Sequence, residues 1–137
     1  MNKLEEIISK YDDVDFSSNL ISENDLDVMK KHYNLKIGEQ LSFYLLNYGY
    51  LGFQDIEFYG INSKQREKSD LVTQTEYLHK YFPKTINYVA FSSEGEGMYI
   101  LIDQNDNMWQ YNSEDDVLEK LNLKLIDYID ESFKKNV

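Results

Sequence analysis

"AFSSEGEGMYILIDQNDNMWQYN", residues 90–112, decides how the chain folds. Three runs rich in apolar and aromatic residues follow one another: one ending at Ser93, then "MYILID", then "MWQYN". Short polar pieces, "EGEG" and "QNDN", separate them. Gly95 and Gly97 supply the positive φ that tight turns demand, and Asn and Asp tolerate it. Strands joined by such short turns pair antiparallel.

The second turn has a rival reading. Asp103, Asn105 and Asn107 stand at alternate positions, and Glu114 comes eleven residues after Asp103. That is most of the ligand spacing of a helix-loop-helix calcium site. Such a loop needs glycine at its sixth position, which here is Met108, and helices on both sides. The flanks are strand-like, so the stretch reads as a hairpin and no calcium requirement is expected. "SEGEG", residues 93–97, is no phosphate loop either. It lacks the Lys and the Ser/Thr of that motif, and its two glutamates would repel phosphate.

Outward from this core, the N-terminal third reads as helical. Leu4, Ile7, Ile8 and Tyr11 follow the i, i+3, i+4, i+7 pattern. Ser22 can cap a helix carrying Leu26, Met29 and Tyr33, with acid in its first turn and Lys30, Lys31 and His32 later. After Gly38, "EQLSFYLLNYG" places Leu41, Tyr44, Leu45 and Tyr48 on one face and stops at Gly49. Residues 52–59, "GFQDIEFY", read as one strand, and "GINSKQREKSD" as a solvated polar loop. "LVTQTEYLHKYFP" reads as a short helix ended by Pro83. The tail from Ser113 carries Leu118, Leu121, Leu125, Ile129 and Phe133 at helical spacing, which predicts one or two helices. The aromatic residues from Tyr44 to Tyr59 follow helix and strand periods, so most belong to the core.

Helices, then clustered strands, then a helix give an α+β order: a single domain over residues 1–137, with a largely antiparallel sheet packed by N- and C-terminal helices. A chain of 137 residues needs no staple to bury a core.

The chain has no Cys and only His32 and His79, far apart, so a Cys/His metal cluster is not expected. Neither histidine has a partner pattern for catalysis, and no nucleophile motif occurs. The expectation is therefore no catalytic, cofactor-binding or metal-ligating residue, no cofactor, and no enzyme. The formal charge of −11 argues against nucleic-acid binding and favours a basic protein partner. The N-terminus "MNKLEEIISKYDDVDF" resembles neither a signal peptide nor a membrane span, so a cytoplasmic protein is expected. The candidate partner surface is formed by the acidic turns and the start of the expected C-terminal helical region, Glu94, Glu96, Asp106, Glu114, Asp115 and Asp116, in or beside turns where exposed loops can carry function.

The order of features resembles the SUKH superfamily, named partly for fungal cell-wall assembly regulators. The likeness runs from about residue 21 to the C-terminus. It rests on "IGEQLSFYLLNYGYLGF", on Gly95-Glu96-Gly97 between two strands with the hairpin after it, and on the apolar-aromatic stripe from Leu125 to Phe133. The family commonly has Pro before the aromatic helix, where this chain has Gly38 after Ile37. The resemblance implies an α+β protein-binding domain without catalytic residues. Bacterial members are mostly immunity proteins that block a toxin, often a nuclease, and fungal members act as regulatory hubs. For this chain it implies a cognate toxin as partner, a basic nuclease domain, bound by a monomer or weak dimer; the alternatives are an intracellular regulatory scaffold of the cell-wall assembly regulator type or an unrecognised small enzyme.

Overall fold

The structure is a computed structural model that describes residues 3–61 and 67–137. Part of the polar loop expected after Tyr59, residues 62–66, lies outside the described residues.

Helix α1 (Lys3–Ser9) buries Leu4 and Ile7, the i, i+3 pair of its apolar side. Helix α2 (Glu23–His32) begins where Ser22 predicts: the Ser22 hydroxyl accepts from the Asp25 amide at 3.1 Å. Helix α3 (Glu39–Asn47) buries Leu41, Tyr44 and Leu45 and ends at Gly49, whose φ is 69°.

Residues 52–59 form a hairpin and not one strand: β2 (Leu51–Phe53) turns at Gln54 into β3 (Ile56–Phe58). Gln54 takes φ 55° without the help of glycine, and Asp55 beside it is the turn's one favourable residue type, a weak signal inside an apolar run. Leu51, Gly52 and Phe53 are all buried, which erases the alternation that would mark a half-exposed strand. A two-residue strand, β1 (Asp15–Phe16), pairs antiparallel with β2 to complete a three-stranded sheet.

Helix α4 (Leu71–Tyr81) is capped by Asp70, whose carboxylate accepts from the Thr73 amide at 2.9 Å. It stops just before Pro83, as expected. The four-stranded sheet then follows with β4 (Val89–Gly95), β5 (Met98–Ile102), β6 (Asn107–Asn112) and β7 (Val117–Lys124), all antiparallel and in chain order.

Strand β7 corrects the helical reading of the tail. Only its second half is a helix, α5 (Leu125–Lys135). Asn107 pairs with Lys124 and Trp109 with Lys120, so β7 spends four residues where β6 spends two. The excess is a bulge at Asn122, which has φ 59°. Leu118 and Leu121 both pack against the core although they are three residues apart. A bulged strand thus imitates the period of a helix.

Phe91 of β4 stacks on Phe58 at 4.9 Å and meets Tyr44 of α3 and Tyr128 of α5. Phe82 and Tyr88, in the chain after α4, pack edge-on against Tyr111 and Trp109 of β6. The two sheets are joined where the Tyr59 amide donates to the Phe91 carbonyl at 2.7 Å and the Ser92 hydroxyl to the Glu57 carbonyl at 2.8 Å. Behind that junction the backbones of Gly49 and Gly60 meet. A Cβ on Gly60 would lie 1.6 Å from the Gly49 carbonyl oxygen. One continuous apolar cluster runs through α1, α3, α5 and both sheets, so the α+β architecture is as the sequence predicts. Strand β7 is the outer strand of the larger sheet. Among the described residues no helix is long and apolar enough to cross a membrane.

Candidate functional site: an acidic end of the sheet

In an antiparallel meander alternate turns fall at the same end. The β4–β5 and β6–β7 turns therefore lie together, and the β5–β6 turn lies at the other end. The first two are bonded to each other. The Ser113 amide and the Ser113 hydroxyl both donate to the Gly97 carbonyl, each at 2.9 Å. This junction brings Glu94 and Glu96 beside Glu114, Asp115 and Asp116, all exposed. Five of the six residues expected to face a partner thus share one end of the sheet.

Their carboxylates differ in how far they are already engaged. Glu94 accepts from the Gln110 amide nitrogen at 3.2 Å, and Asp115 from that of Asn112 at 3.2 Å. Asp116 accepts from the Tyr111 hydroxyl at 2.5 Å and pairs with Lys84 at 3.5 Å. The Tyr111 hydrogen bond, and then the Lys84 charge, hold the Asp116 carboxyl below the usual range. Burial, reinforced by the same bond, pushes the Tyr111 phenol up to about 12. Asp116 also has φ 56°, so it is a structural corner as much as a surface charge. The Glu96 and Glu114 side chains make no hydrogen bond or ion pair among the described residues and project from the turns.

The sixth residue is placed elsewhere. Asp106 is at the opposite end and 6% exposed. Its two carboxylate oxygens accept from the amides of Gln40 and Leu41, both at 3.0 Å, at the start of α3. The exposed position expected of it is therefore corrected: a helix N-terminus offers unpaired N–H groups and positive potential, and Asp106 fills both needs. The same segment holds α5, through Leu125 N–H to the Asp106 carbonyl and Ile126 N–H to the Gln40 side chain, each at 3.0 Å.

The alternating Asp and Asn residues of the 103–107 stretch have a similar explanation. The Asp103 carboxylate accepts from the Asn105 and Asn107 amides, the Asn107 side chain and the Trp109 indole N–H at 2.9–3.2 Å. Partial burial alone would raise its pKa, but the Trp109 bond and the amide bonds outweigh that and hold it low. The stretch is a hairpin turn between β5 and β6, as its flanks predict.

Two features beside the acidic end escape the sequence reading. One is an open cleft of about 510 Å³ bordered by Asp55, Glu57, Glu94, Tyr128 and Lys135. Burial, and then the Glu94 charge, push the Tyr128 phenol well up. The other is the outer side of α4, where Tyr77 and Tyr81 are 45% and 56% exposed, with ring centroids 5.1 Å apart. The legible signal was their four-residue spacing, out of phase with the buried Leu71, Thr75 and Leu78.

The histidines are accounted for locally. A ring nitrogen of His79 lies 2.7 Å from the Tyr88 carbonyl, and His32 sits edge-on to Tyr33. Among the described residues no three His, Asp or Glu side chains are grouped to hold a metal.

One protein-family model matches the chain: SUKH_5, described as SMI1-KNR4 cell-wall, over residues 2–134. No curated protein matches it. The match extends the likeness seen in the sequence from about residue 21 back through α1.

Proposed function

The chain belongs to the SUKH_5 family of SMI1-KNR4 cell-wall proteins, and on that premise we propose that it is an immunity protein. It binds a cognate toxin with a basic nuclease domain in the cytoplasm, as a monomer or weak dimer, and blocks it by contact without chemistry of its own.

The observation that carries this reading is the meeting of two acidic turns through Ser113 and Gly97. A toxin that cleaves nucleic acid must present Lys and Arg to the phosphates of its substrate. Glu94, Glu96, Glu114 and Asp115 offer that surface a substitute counter-charge at one end of a rigid sheet. A net charge of −11 adds long-range attraction and speeds encounter.

The test is co-expression with the products of adjacent genes. The expected result is a one-to-one complex of about nanomolar affinity with a single basic protein whose toxicity it suppresses. Several unrelated partners and no protection would instead favour a regulatory scaffold of the cell-wall type.

A further inference from the structure

We infer that Tyr77 and Tyr81 of α4 form an aromatic seat for an arginine side chain of the basic partner, adjoining the acidic turns. The inference rests on the reading of the acidic end as the partner surface and names the contact that would hold the partner there.

Three observations carry it. First, both rings are about half exposed, although an outward helix position normally carries a polar residue. They stand one turn apart with centroids 5.1 Å from each other, tilted by 51°. The pair thus offers two ring faces at neighbouring angles on a rigid helix. Second, a cation already uses one of these rings: the Lys80 ammonium lies 5.2 Å from the Tyr81 centroid. That distance is within the range at which the ring quadrupole attracts positive charge. Third, the seat and the acids are joined by a short chain of contacts. Tyr77 meets Phe82 at 6.1 Å, Phe82 meets Tyr111 at 5.7 Å, and the Tyr111 hydroxyl donates to Asp116. Lys84, two residues past Phe82, donates to the Asp116 carbonyl at 2.8 Å.

The partner chemistry follows from this adjacency. Exposed tyrosines beside neutral surface would suit an apolar partner. Here the chain of contacts leads through Phe82 and Tyr111 to Asp116, at the edge of the acidic turns, so the side chain that reaches them comes from a basic surface. Arginine fits better than lysine: its planar, weakly hydrated guanidinium stacks on aromatic faces while its N–H fork reaches carboxylates. Charge at the turns then sets how fast the partner arrives, and the tyrosines set how long it stays.

The test uses the whole chain and a hexa-arginine peptide, with hexa-lysine as comparison. In proton-carbon spectra the Tyr77 and Tyr81 ring signals should shift on titration together with the amides of residues 94–97 and 113–116. Hexa-arginine should bind more tightly than hexa-lysine. Replacing both rings by Leu keeps their apolar bulk and should weaken hexa-arginine binding roughly five- to tenfold, whereas Tyr77→Phe with Tyr81→Phe should retain it. Unmoved ring signals, or a Leu variant that binds as well as the native chain, would overturn the seat. Because the probe is not the toxin, that result leaves the immunity reading standing. Conversely, absence of any toxin complex would count against immunity even with the ring shifts present.

Discussion

Asp106 Oδ1 accepts a hydrogen bond from the amide of Leu41 at 3.0 Å, although 65 residues of chain separate them. The helix cap of α3 therefore comes from a distant hairpin. The residue in the cap position, Gly38, has no side chain to do it, and a Cβ there would come within 2.7 Å of both Asp106 carboxylate oxygens. Asp106→Ala should lower stability by about 1–3 kcal/mol, since it removes the cap and leaves two amides unpaired. Gly38→Ala should also destabilise, by about 1–3 kcal/mol, because the Cβ would crowd the Gln104 carbonyl oxygen at 2.6 Å as well as the cap. Urea melts of the two single variants and the double variant should show losses that fall short of additive, because the Asp106 contact is shared while the Gln104 carbonyl clash persists. Additive losses would mean that the two positions act separately.

Asp103 makes stability depend on acid. Its carboxyl titrates lower in the folded chain than in the unfolded one. Its contribution is thus complete above the unfolded value of about 3.9 and is lost as pH falls from there through the folded value. Asp103→Asn should flatten the stability profile in that window. Trp109→Phe removes one donor and should move the carboxyl titration, followed by carbon NMR, toward higher pH. A titration unchanged by loss of the indole would show that Trp109 does not hold the charge.

The acidic turns should control association rate. Replacing Glu94, Glu96 and Glu114 by Gln and Asp115 by Asn should slow binding to the proposed toxin partner and flatten its salt dependence, with the melting temperature little changed. Asp116 is left out because Tyr111 and Lys84 use it to shape the turn. Stopped-flow mixing at several salt concentrations reads the result. An unaltered rate and salt slope would place the interface elsewhere, with the cleft beside Tyr128 the next surface to probe.

Gly60 should tolerate no side chain. The Gly49 carbonyl oxygen accepts from the Ile61 amide at 2.8 Å and occupies the space a Cβ would need. Gly60→Ala should cost more than about 3 kcal/mol, because the obstacle is backbone on both sides. A melting temperature near that of the native chain would show that the two segments can part.

Much of this molecule can be read from local chemistry. Ser22 caps α2, Gly49 ends α3, Pro83 follows α4, and Gly95 and Gly97 turn β4 into β5, because each residue acts on its own neighbours. The departures share a different cause. Asp106 looks like a surface turn residue and becomes a cap only once α3 packs beside it. Gln54 takes the positive φ of a turn without glycine, and the all-buried β2 arm beside it hides the alternation that would mark two short strands. Leu118 and Leu121 look helical because Asn122 breaks the alternation of a strand. In the acidic site, the grouping of five residues depends on β7, which turns the expected helix start at Glu114–Asp116 into a β6–β7 turn beside the β4–β5 turn. The tyrosine pair on α4 shows in the sequence only as a four-residue spacing out of phase with the buried positions; the ring contact itself depends on the folded helix.

The bulge at Asn122 has one more consequence, for the protein at high concentration. An eight-residue outer strand is a template on which a second chain can stack, and repetition of that step makes fibres. Strand β7 is a poor template: Asn122 breaks its ladder, and Glu119, Lys120 and Lys124 carry charges that a stacked copy would have to accommodate. On the proposed immunity reading, a protein that must outnumber its target to protect a cell has to remain dispersed while in excess. Straightening β7 by removing the two surplus residues should leave a chain that still folds but clouds on storage.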